Sequence, residues 1–286
     1  MKLNLNQITF IIVTYKSESI IHDCLSSLPS ESKKIVIENS SNINLEKELK
    51  TKYDNIEVVL SKNIGMGAGN NIGLKRCKTE YAYVLNPDTK LNNETIPNLL
   101  KSLNKINDFT LATAINDNPK IPNYKLYEAS EENEEFLSVD TIDGFSMFFN
   151  LKKFTDNNFF DENFFLYFEE IDLCKMVKMK KGKIILSKNI KINHEGSGSV
   201  DKNNKNEFEK NRNWHWMWST FYYHKKYKGF PIALIIIMPK FISSIIKTFF
   251  YQLISNNRKR DIYFSRMSGI LNSVLGRKSW YRPSLD

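Results

Sequence analysis

Residues 8–15 read ITFIIVTY, an uncharged run that consists mostly of β-branched residues. Such a run is typical of a parallel strand that is buried on both faces. Apolar segments and helical spacing then alternate along the chain. The pattern predicts further strands at residues 34–37, 56–60 and 81–85, and helices at residues 20–28, 45–49 and 63–77. This order of elements indicates an α/β fold with a parallel sheet, built from βαβ units.

Polar residues stand at the carboxyl ends of three of these predicted strands. Ligands of open parallel sheets bind beyond those ends, so residues from different strands meet there. We therefore expect one binding site at this edge of the sheet. Its candidate residues are Thr14, Tyr15, Glu38, Asn39, Asn86 and Asp88.

Residues 63–73 read NIGMGAGNNIG and open the third predicted helix. Glycines allow a backbone to approach a ligand closely and to expose its amides. The stretch as a whole is accordingly a candidate for ligand contact, and a tight turn into the helix is the alternative. A dinucleotide fingerprint would follow the first strand of the fold, whereas this stretch follows the third. A hydride-transferring enzyme is therefore disfavoured.

Asp88 and His194 are the candidate metal ligands. Mg²⁺ binds one or two protein carboxylates and fills its other positions with water and substrate phosphates, which suits Asp88. Its Asn-Pro-Asp context is also that of an ordinary turn. His194 begins HEGSGS at 194–199, which is not a HExxH zinc motif. In this glycine-rich context the histidine is expected to contact phosphate or metal, with a structural role as the alternative.

Residues 160–174 read FDENFFLYFEEIDLC, where aromatic residues surround five carboxylates. Burial against aromatic rings can raise the pKa of a carboxyl group, which suits a general base. Acids also favour the first turn of a helix because of its dipole, so an ordinary helix start is the alternative. All five carboxylates, Asp161, Glu162, Glu169, Glu170 and Asp172, are candidates at this point.

The chain has 286 residues, with 41 lysines and arginines against 32 acids and a formal charge of +9. This charge suits an anionic partner such as a nucleotide or an acidic membrane surface. Nucleic-acid binding would leave the acidic stretch unexplained, so no nucleic acid is expected. Three widely spaced cysteines, without zinc spacing or a signal peptide, favour a cytoplasmic protein.

A helical region is expected at residues 206–286. Its most apolar part, residues 230–254, is interrupted by Pro239, Lys240 and Lys247. The spacing beyond Pro239 predicts an amphipathic helix, and basic residues follow it. This combination is typical of a helix that lies on a membrane surface. A helix that packs in a core or forms a homodimer is the alternative.

Taken together, seven segments resemble the inverting family-2 glycosyltransferases of the GT-A fold, and in particular their bacterial rhamnosyltransferase-like branch. Their order and spacing make the resemblance specific over the first two thirds of the chain. The segments are IIVTY at 11–15, ENSS at 38–41, NIGMGAGNNIG at 63–73, NPD at 86–88, DGFSMFF at 143–149, FDENFFLYFEEIDLC at 160–174 and HEGSGS at 194–199. The resemblance implies a GT-A, Rossmann-like nucleotide-diphospho-sugar-binding domain at residues 1–205, followed by the helical extension.

The resemblance also implies donor-side roles. Thr14 and Tyr15 would border the base and ribose of the donor, and Glu38 would replace the usual pyrimidine-reading Asp. Asn39, Gly69 and Asn70 would lie along the donor. Asn86 would stand beside Asp88, which would hold Mg²⁺ or Mn²⁺ with His194 as a further contact.

On the acceptor side, the resemblance implies that Glu170 is the base that deprotonates the attacking hydroxyl. Asp172 is its rival, and Glu169 and Gly144 would contact or orient the acceptor. We therefore expect inverting transfer of a deoxyhexose such as rhamnose, from a dTDP-linked donor to a glycan or lipid-linked glycan. The enzyme would be cytoplasmic and peripheral at the inner face of the membrane. A nucleotidyltransferase and a non-catalytic scaffold are the alternatives.

Overall fold

The computed structural model describes residues 2–106, 108–127, 133–194 and 205–282. Two compact units are present. The sheet unit consists of Met1–Asp161 and Glu170–Ser199, and the helical unit consists of Glu162–Glu169 and Val200–Asp286. The short segment Glu162–Glu169 thus belongs with helices that follow it much later in the chain, a feature that the sequence pattern did not predict.

The sheet unit alternates strands and helices as its sequence predicts. Its strands are β1 (Ile8–Thr14), β2 (Lys33–Glu38), β3 (Ile56–Leu60), β4 (Tyr81–Leu85), β5 (Thr89–Lys90), β6 (Leu111–Asn116), β7 (Tyr124–Lys125), β8 (Phe136–Ser138), β9 (Thr141–Ile142), β10 (Ser146–Asn150) and β11 (Ile184–His194). Its helices are α1 (Ile21–Ser26), α2 (Ile43–Lys52), α3 (Met66–Arg76), α4 (Thr95–Leu103) and, apart from its first residue, α5 (Glu169–Met179).

The main sheet has the strand order β3-β2-β1-β4-β10-β6-β11-β5, with β8 paired to β11. Strands β1 to β4 are mutually parallel where they pair. Strand β10 runs antiparallel to both β4 and β6. The parallel half therefore brings the carboxyl ends of β1, β2 and β4 to one edge, as the sequence predicts.

Strand β1 is buried along its whole length and contributes to two apolar cores. Its alternate side chains point to opposite faces, so Phe10 and Ile12 join one core while Ile11 and Val13 join the other. Helix α3 packs so closely on the second face that a Cβ on Gly73 would lie 2.4 Å from Cγ2 of Ile11. The glycine-rich sequence is thus needed for helix–sheet packing.

Strand β11 corrects one prediction. The sequence indicates two short strands, at residues 183–186 and 190–193, whereas the structure has one strand of eleven residues. Its register with β6 shifts between Ser187 and Lys191. Polar residues in that irregular part interrupt the apolar pattern, which explains why the sequence suggested a break.

The helical unit contains α6 (Lys205–Lys228), α7 (Phe230–Leu253) and α8 (Asn257–Val274). Helix α8 lies in the region that was predicted to be helical, although its bounds were not predicted. Helix α7 continues through Pro239, where the sequence indicated an interruption. Pro239 and Ile235, whose carbonyl loses its amide partner there, are both on the exposed side of the helix. Among the described residues, α7 alone is long and apolar enough to cross a membrane, judged by length and composition.

Segment 162–169 is held within the helical unit by its aromatic side chains. The Phe164 ring lies 4.9 Å from that of Tyr222, and the Ser219 hydroxyl donates to the Leu166 carbonyl over 3.0 Å. Tyr167 and Phe168 both have positive φ angles, 67° and 72°. Bulky residues rarely adopt this conformation, so the packing of this segment stabilises a costly turn directly before α5.

Candidate active site

The ends of β1 and β2 form one side of the candidate site. Thr14 and Glu38 are register partners, and the Asn39 amide donates to the Thr14 carbonyl over 2.8 Å. Thr14 Oγ1, Asn39 Oδ1 and Asn70 Oδ1 are buried and have no hydrogen-bond partner in the described structure. Buried polar atoms are normally satisfied, so a ligand at this edge is the simplest explanation for all three.

Glu38 is fully buried, and its carboxylate is used locally. One oxygen accepts hydrogen bonds from the amide and hydroxyl of Ser40, and the other accepts from the Asn42 amide. These bonds stabilise the turn that leads into α2. Glu38 therefore helps to hold the turn after β2. Its contact with the pyrimidine of a donor stays a prediction.

Gly69 lies where α3 meets the sheet. A Cβ at this position would be 2.9 Å from Cγ1 of Val13 and 3.2 Å from Nδ2 of Asn39. Asn39 Nδ2 also donates to the Gly65 carbonyl over 3.1 Å. Gly69 therefore allows α3 to approach β1 and Asn39. A direct contact of Gly69 or Asn70 with a donor stays a prediction.

Asp88 and His194 meet at the end of β4. His194 Nε2 lies 3.2 Å from Asp88 Oδ1, and the backbone of His194 pairs with that of Thr89. The His194 ring stacks on Phe145 at 4.1 Å with an interplanar angle of 3°. The structure therefore brings the two predicted metal ligands together. Residues 195–199, the rest of the predicted glycine- and serine-rich loop, lie outside the described residues.

A divalent ion is chemically compatible with this pair. No group of three or more His, Cys, Asp or Glu side chains that could hold a metal occurs in the part of the chain that the structure describes. Asp88 and His194 supply one carboxylate and one imidazole, and Mg²⁺-type ions complete such sets with water and substrate phosphates. The donor set fits an ion that binds together with a diphosphate.

Glu170 stands at the start of α5, in the sheet unit. Burial, with a smaller contribution from the nearby charge of Asp143, raises the pKa of its carboxyl group to about 7, although backbone hydrogen bonds and Lys125 oppose the rise. A Cβ on Gly144 would lie 3.6 Å from the Glu170 Cβ, so Gly144 leaves room for this side chain. A carboxyl group with a pKa near 7 suits a general base at neutral pH.

Gly144 and Phe145 connect the two halves of this arrangement. The Asn86 amide donates to the Phe145 carbonyl over 2.9 Å, and the Phe145 ring stacks on His194. Gly144, the preceding residue, lies beside Glu170, because a Cβ added there would be 3.6 Å from the Glu170 Cβ. The candidate base and the Asp88–His194 pair therefore adjoin one short backbone segment.

The remaining candidates are placed as follows. Tyr15 is partly exposed just after β1, and Asp172 is buried in the first part of α5. Glu169 is buried and belongs to the helical unit. The roles of these three residues stay predictions.

Three residues near the site were missed by sequence reasoning. Asp143 interacts with Glu170, Lys125 and His194, and burial raises its pKa. Phe145 forms the stack on His194. Asp143 and Phe145 lie in DGFSMFF, a segment from which the resemblance assigned a role to Gly144 alone. No sequence pattern marks Lys125, because its position near the site depends on where the short strand β7 lies in the fold.

Comparison with known proteins identifies the family. Residues 9–173 match the model described as glycosyl transferase family 2. The chain belongs to this family. A low-salt glycan biosynthesis hexosyltransferase, Agl10 of Haloferax volcanii, is 29% identical over 189 residues. That alignment covers 59% of this chain and 61% of Agl10, so the chain spans less than two thirds of its relative.

Two solved structures of glycosyltransferases share the fold. The mannosyltransferase PcManGT from Pyrobaculum calidifontis, in complex with GDP-Man and Mn²⁺, has a TM-score of 0.57 at 9% identity, covering 95% of this chain and 88% of its own. GalNAc-T7 with UDP, GalNAc and Mn²⁺ has a TM-score of 0.55 at 12% identity, covering 74% of this chain and 51% of its own. The predicted GT-A fold of this family-2 member is confirmed.

Proposed function

We propose that this family-2 protein is a glycosyltransferase that moves a sugar from a nucleotide-diphospho-sugar donor to a glycan acceptor. The observation that carries the proposal is the position of Gly144 and Phe145, which adjoin both the Asp88–His194 pair and the Glu170 carboxyl group. Transfer needs a place for the departing diphosphate and a base for the attacking hydroxyl. The Asp88–His194 pair would serve as the place for the diphosphate, and Glu170 would serve as the base.

Each group of residues has a task in this reaction. Thr14, Asn39 and Asn70 offer unpaired buried oxygens to the donor. Asp88 and His194 hold the diphosphate end, where a bound Mg²⁺ or Mn²⁺ would neutralise the leaving group as a Lewis acid. Glu170 accepts the proton of the acceptor hydroxyl as that oxygen attacks the anomeric carbon. A single displacement of this kind inverts the stereochemistry at that carbon.

The finer assignment concerns the substrates. The resemblance to the rhamnosyltransferase-like branch supports a deoxyhexose from a dTDP-linked donor, and the relation to Agl10 supports a hexose and an acceptor in glycan biosynthesis. A nucleotidyltransferase is the second catalytic candidate, but the Thr14–Tyr15 end of β1 lacks the glycine-rich basic loop that such enzymes use. A non-catalytic scaffold would have no need for the raised pKa of Glu170.

The test is diphosphate release from a panel of nucleotide sugars. The full chain is incubated with dTDP-, UDP- and GDP-linked sugars, with Mg²⁺, with Mn²⁺ or with a chelator, and thermal shifts are recorded in parallel. We expect one donor to stabilise the chain and to release nucleoside diphosphate in a metal-dependent manner. Binding without release by any donor would support the scaffold instead, and pyrophosphate as product would support a nucleotidyltransferase.

The exposed apolar face of α7 supports a position of the protein at the inner face of the membrane. The face that bears Ser244 and Tyr251 packs on α8, where the Tyr251 and Tyr263 rings stack at 5.6 Å. The opposite face is exposed and apolar. Its members include Ile235, Met238, Ile242, Ile246, Phe249, Phe250 and Leu253. An exposed apolar stripe of this length is unusual for a helix in water and fits insertion among lipid head groups.

Replacing part of this stripe should release the protein from lipid. Each buried apolar side chain contributes about 1.5–3 kcal/mol, so Ile246→Gln, Phe249→Gln and Leu253→Gln together should weaken vesicle binding by about 10³-fold or more. Binding is measured by flotation of the full chain with phospholipid vesicles.

Three equally exposed apolar residues of the sheet unit provide the control. Ile43, Ile121 and Met179 are 55–68% exposed, against 62–83% for the stripe residues. Their replacement by glutamine should leave flotation unchanged. A homodimer through the stripe would show instead as a change in mass by light scattering, with no lipid dependence, and would overturn the membrane assignment.

A further inference from the structure

Four basic side chains of the helical unit are close enough to influence one another's charge. His224 and Lys228 lie one turn apart on α6, Lys240 lies on α7 and Arg266 lies on α8. The charges that act on His224 come from Lys228 and Lys240, and the charge that acts on Lys240 comes from Arg266. All of these charges are positive, so the cluster repels itself.

Two atoms of the cluster are buried and lack a hydrogen-bond partner. They are Nδ1 of His224 and Nε of Arg266. Buried polar atoms in native proteins nearly always have a partner, and an exception points to a water or an ion that completes the site. Both exceptions here border the same group of positive charges, so one anion could satisfy both.

Three other basic residues of this unit have carboxylate partners. Lys210 pairs with Glu207, Arg258 with Glu209, and Arg260 with Asp261. Carboxylates thus neutralise basic side chains elsewhere in α6 and α8. Burial lowers the pKa values of His224 and Lys240, and the neighbouring positive charges lower them further. The two buried nitrogens without a hydrogen-bond partner, together with the mutual repulsion of these charges, distinguish this cluster.

We propose that His224, Lys228, Lys240 and Arg266 form a binding site for a phosphate group. A phosphate offers several acceptor oxygens, which matches a guanidinium fork together with lysine and imidazole donors. Lys240 also lies on α7, the helix with the exposed apolar stripe. Lys240 shares the face of α7 that bears Ser244, opposite the stripe, so a lipid head group and a soluble phosphate are both candidate sources, which the test separates. The site stands apart from Asp88 and Glu170 and does not depend on sugar transfer.

The test compares two double variants of the full chain that carry the same charge change. Lys240→Gln with Arg266→Gln removes two members of the cluster. Arg277→Gln with Lys278→Gln removes two exposed charges of the same unit and is the control. Inorganic phosphate is titrated by calorimetry. Vesicles of phosphatidylcholine, with and without phosphatidylglycerol, are used in flotation.

We expect saturable phosphate binding that weakens at least about tenfold in the cluster variant and stays unchanged in the control, since charge-assisted hydrogen bonds are lost. Thermal unfolding is measured alongside. The cluster variant should be as stable as the wild type or more so, because the removal of two positive charges reduces the electrostatic repulsion in the cluster. A purely structural role would lower its stability.

Calorimetry with inorganic phosphate and flotation with vesicles together distinguish a soluble phosphate from a lipid head group. A preference for phosphatidylglycerol vesicles that is lost only in the cluster variant identifies a lipid head group, and a phosphate effect without vesicle preference identifies a soluble phosphate. Equal losses in both double variants, or no phosphate binding and no vesicle preference by the wild type, would overturn the site. Diphosphate release by the wild type without vesicles reports on sugar transfer separately, so either proposal can fail alone.

Discussion

Asp88→Ala should abolish turnover of the sugar nucleotide while the chain remains folded. Asp88 supplies the only carboxylate oxygen that lies within 4.0 Å of His194 in the described structure. Its loss removes the group expected to hold the metal at the leaving diphosphate. Lewis-acid stabilisation of that charge contributes several kcal/mol, so diphosphate release should fall by about 10³-fold.

Asp117→Ala provides the matched control. Asp117 is an exposed carboxylate of the same unit, and its partner is Lys191 at 3.3 Å. Exposed pairs of this kind contribute little, so this variant should keep its turnover and its stability. A chelator should reproduce the effect of Asp88→Ala on the wild type. Full turnover in Asp88→Ala, with or without chelator, would sink the metal assignment.

Glu170→Gln should bind the donor normally but transfer sugar about 10²- to 10⁴-fold more slowly, which is the usual contribution of a general base. Glutamine keeps the shape of the side chain but cannot accept the proton. Donor affinity is measured by thermal shift, and transfer by product formation. Asp172→Asn is the companion variant, because the two residues compete for the same role.

The pH dependence gives an independent check. The base must be deprotonated, so transfer by the wild type should rise with pH through about 7, the raised pKa of Glu170. The free energy of unfolding should depend on pH in the opposite direction. Because the folded-state pKa exceeds the ordinary value of 4.5, folding favours the protonated carboxyl, and this contribution is lost as the pH rises through about 7. Glu170→Gln should therefore be more stable than the wild type above that pH.

Two outcomes would reassign the base. If Asp172→Asn abolishes transfer while Glu170→Gln retains it, Asp172 is the base. If Asp143→Asn shifts the pH profile of transfer downward and Glu170→Gln has little effect, the neighbouring carboxyl of Asp143 carries the proton. Donor binding that is unchanged in all three variants would show that the losses concern the acceptor side.

The sequence alone determined the parallel half of the sheet and the edge at which the candidate donor residues lie. Apolar β-branched runs such as ITFIIVTY and the helical spacing between them are local properties, so they can be seen without the fold. The position of Thr14, Asn39 and Asp88 at strand ends follows directly from these runs. The family resemblance then assigned a task to each of them.

Tertiary structure alone decided how distant residues combine. It divides FDENFFLYFEEIDLC between two units, joins Asp143 and Phe145 to the candidate site, and turns the apolar face of α7 outward. It also brings basic residues of three helices near one another, and no carboxylate among the described residues is seen to act on His224 or Lys240. The pKa of a carboxyl group and the partner of a buried nitrogen depend on atoms that are far away in the chain. Only the folded chain places those atoms within reach, which is why no local pattern could predict them.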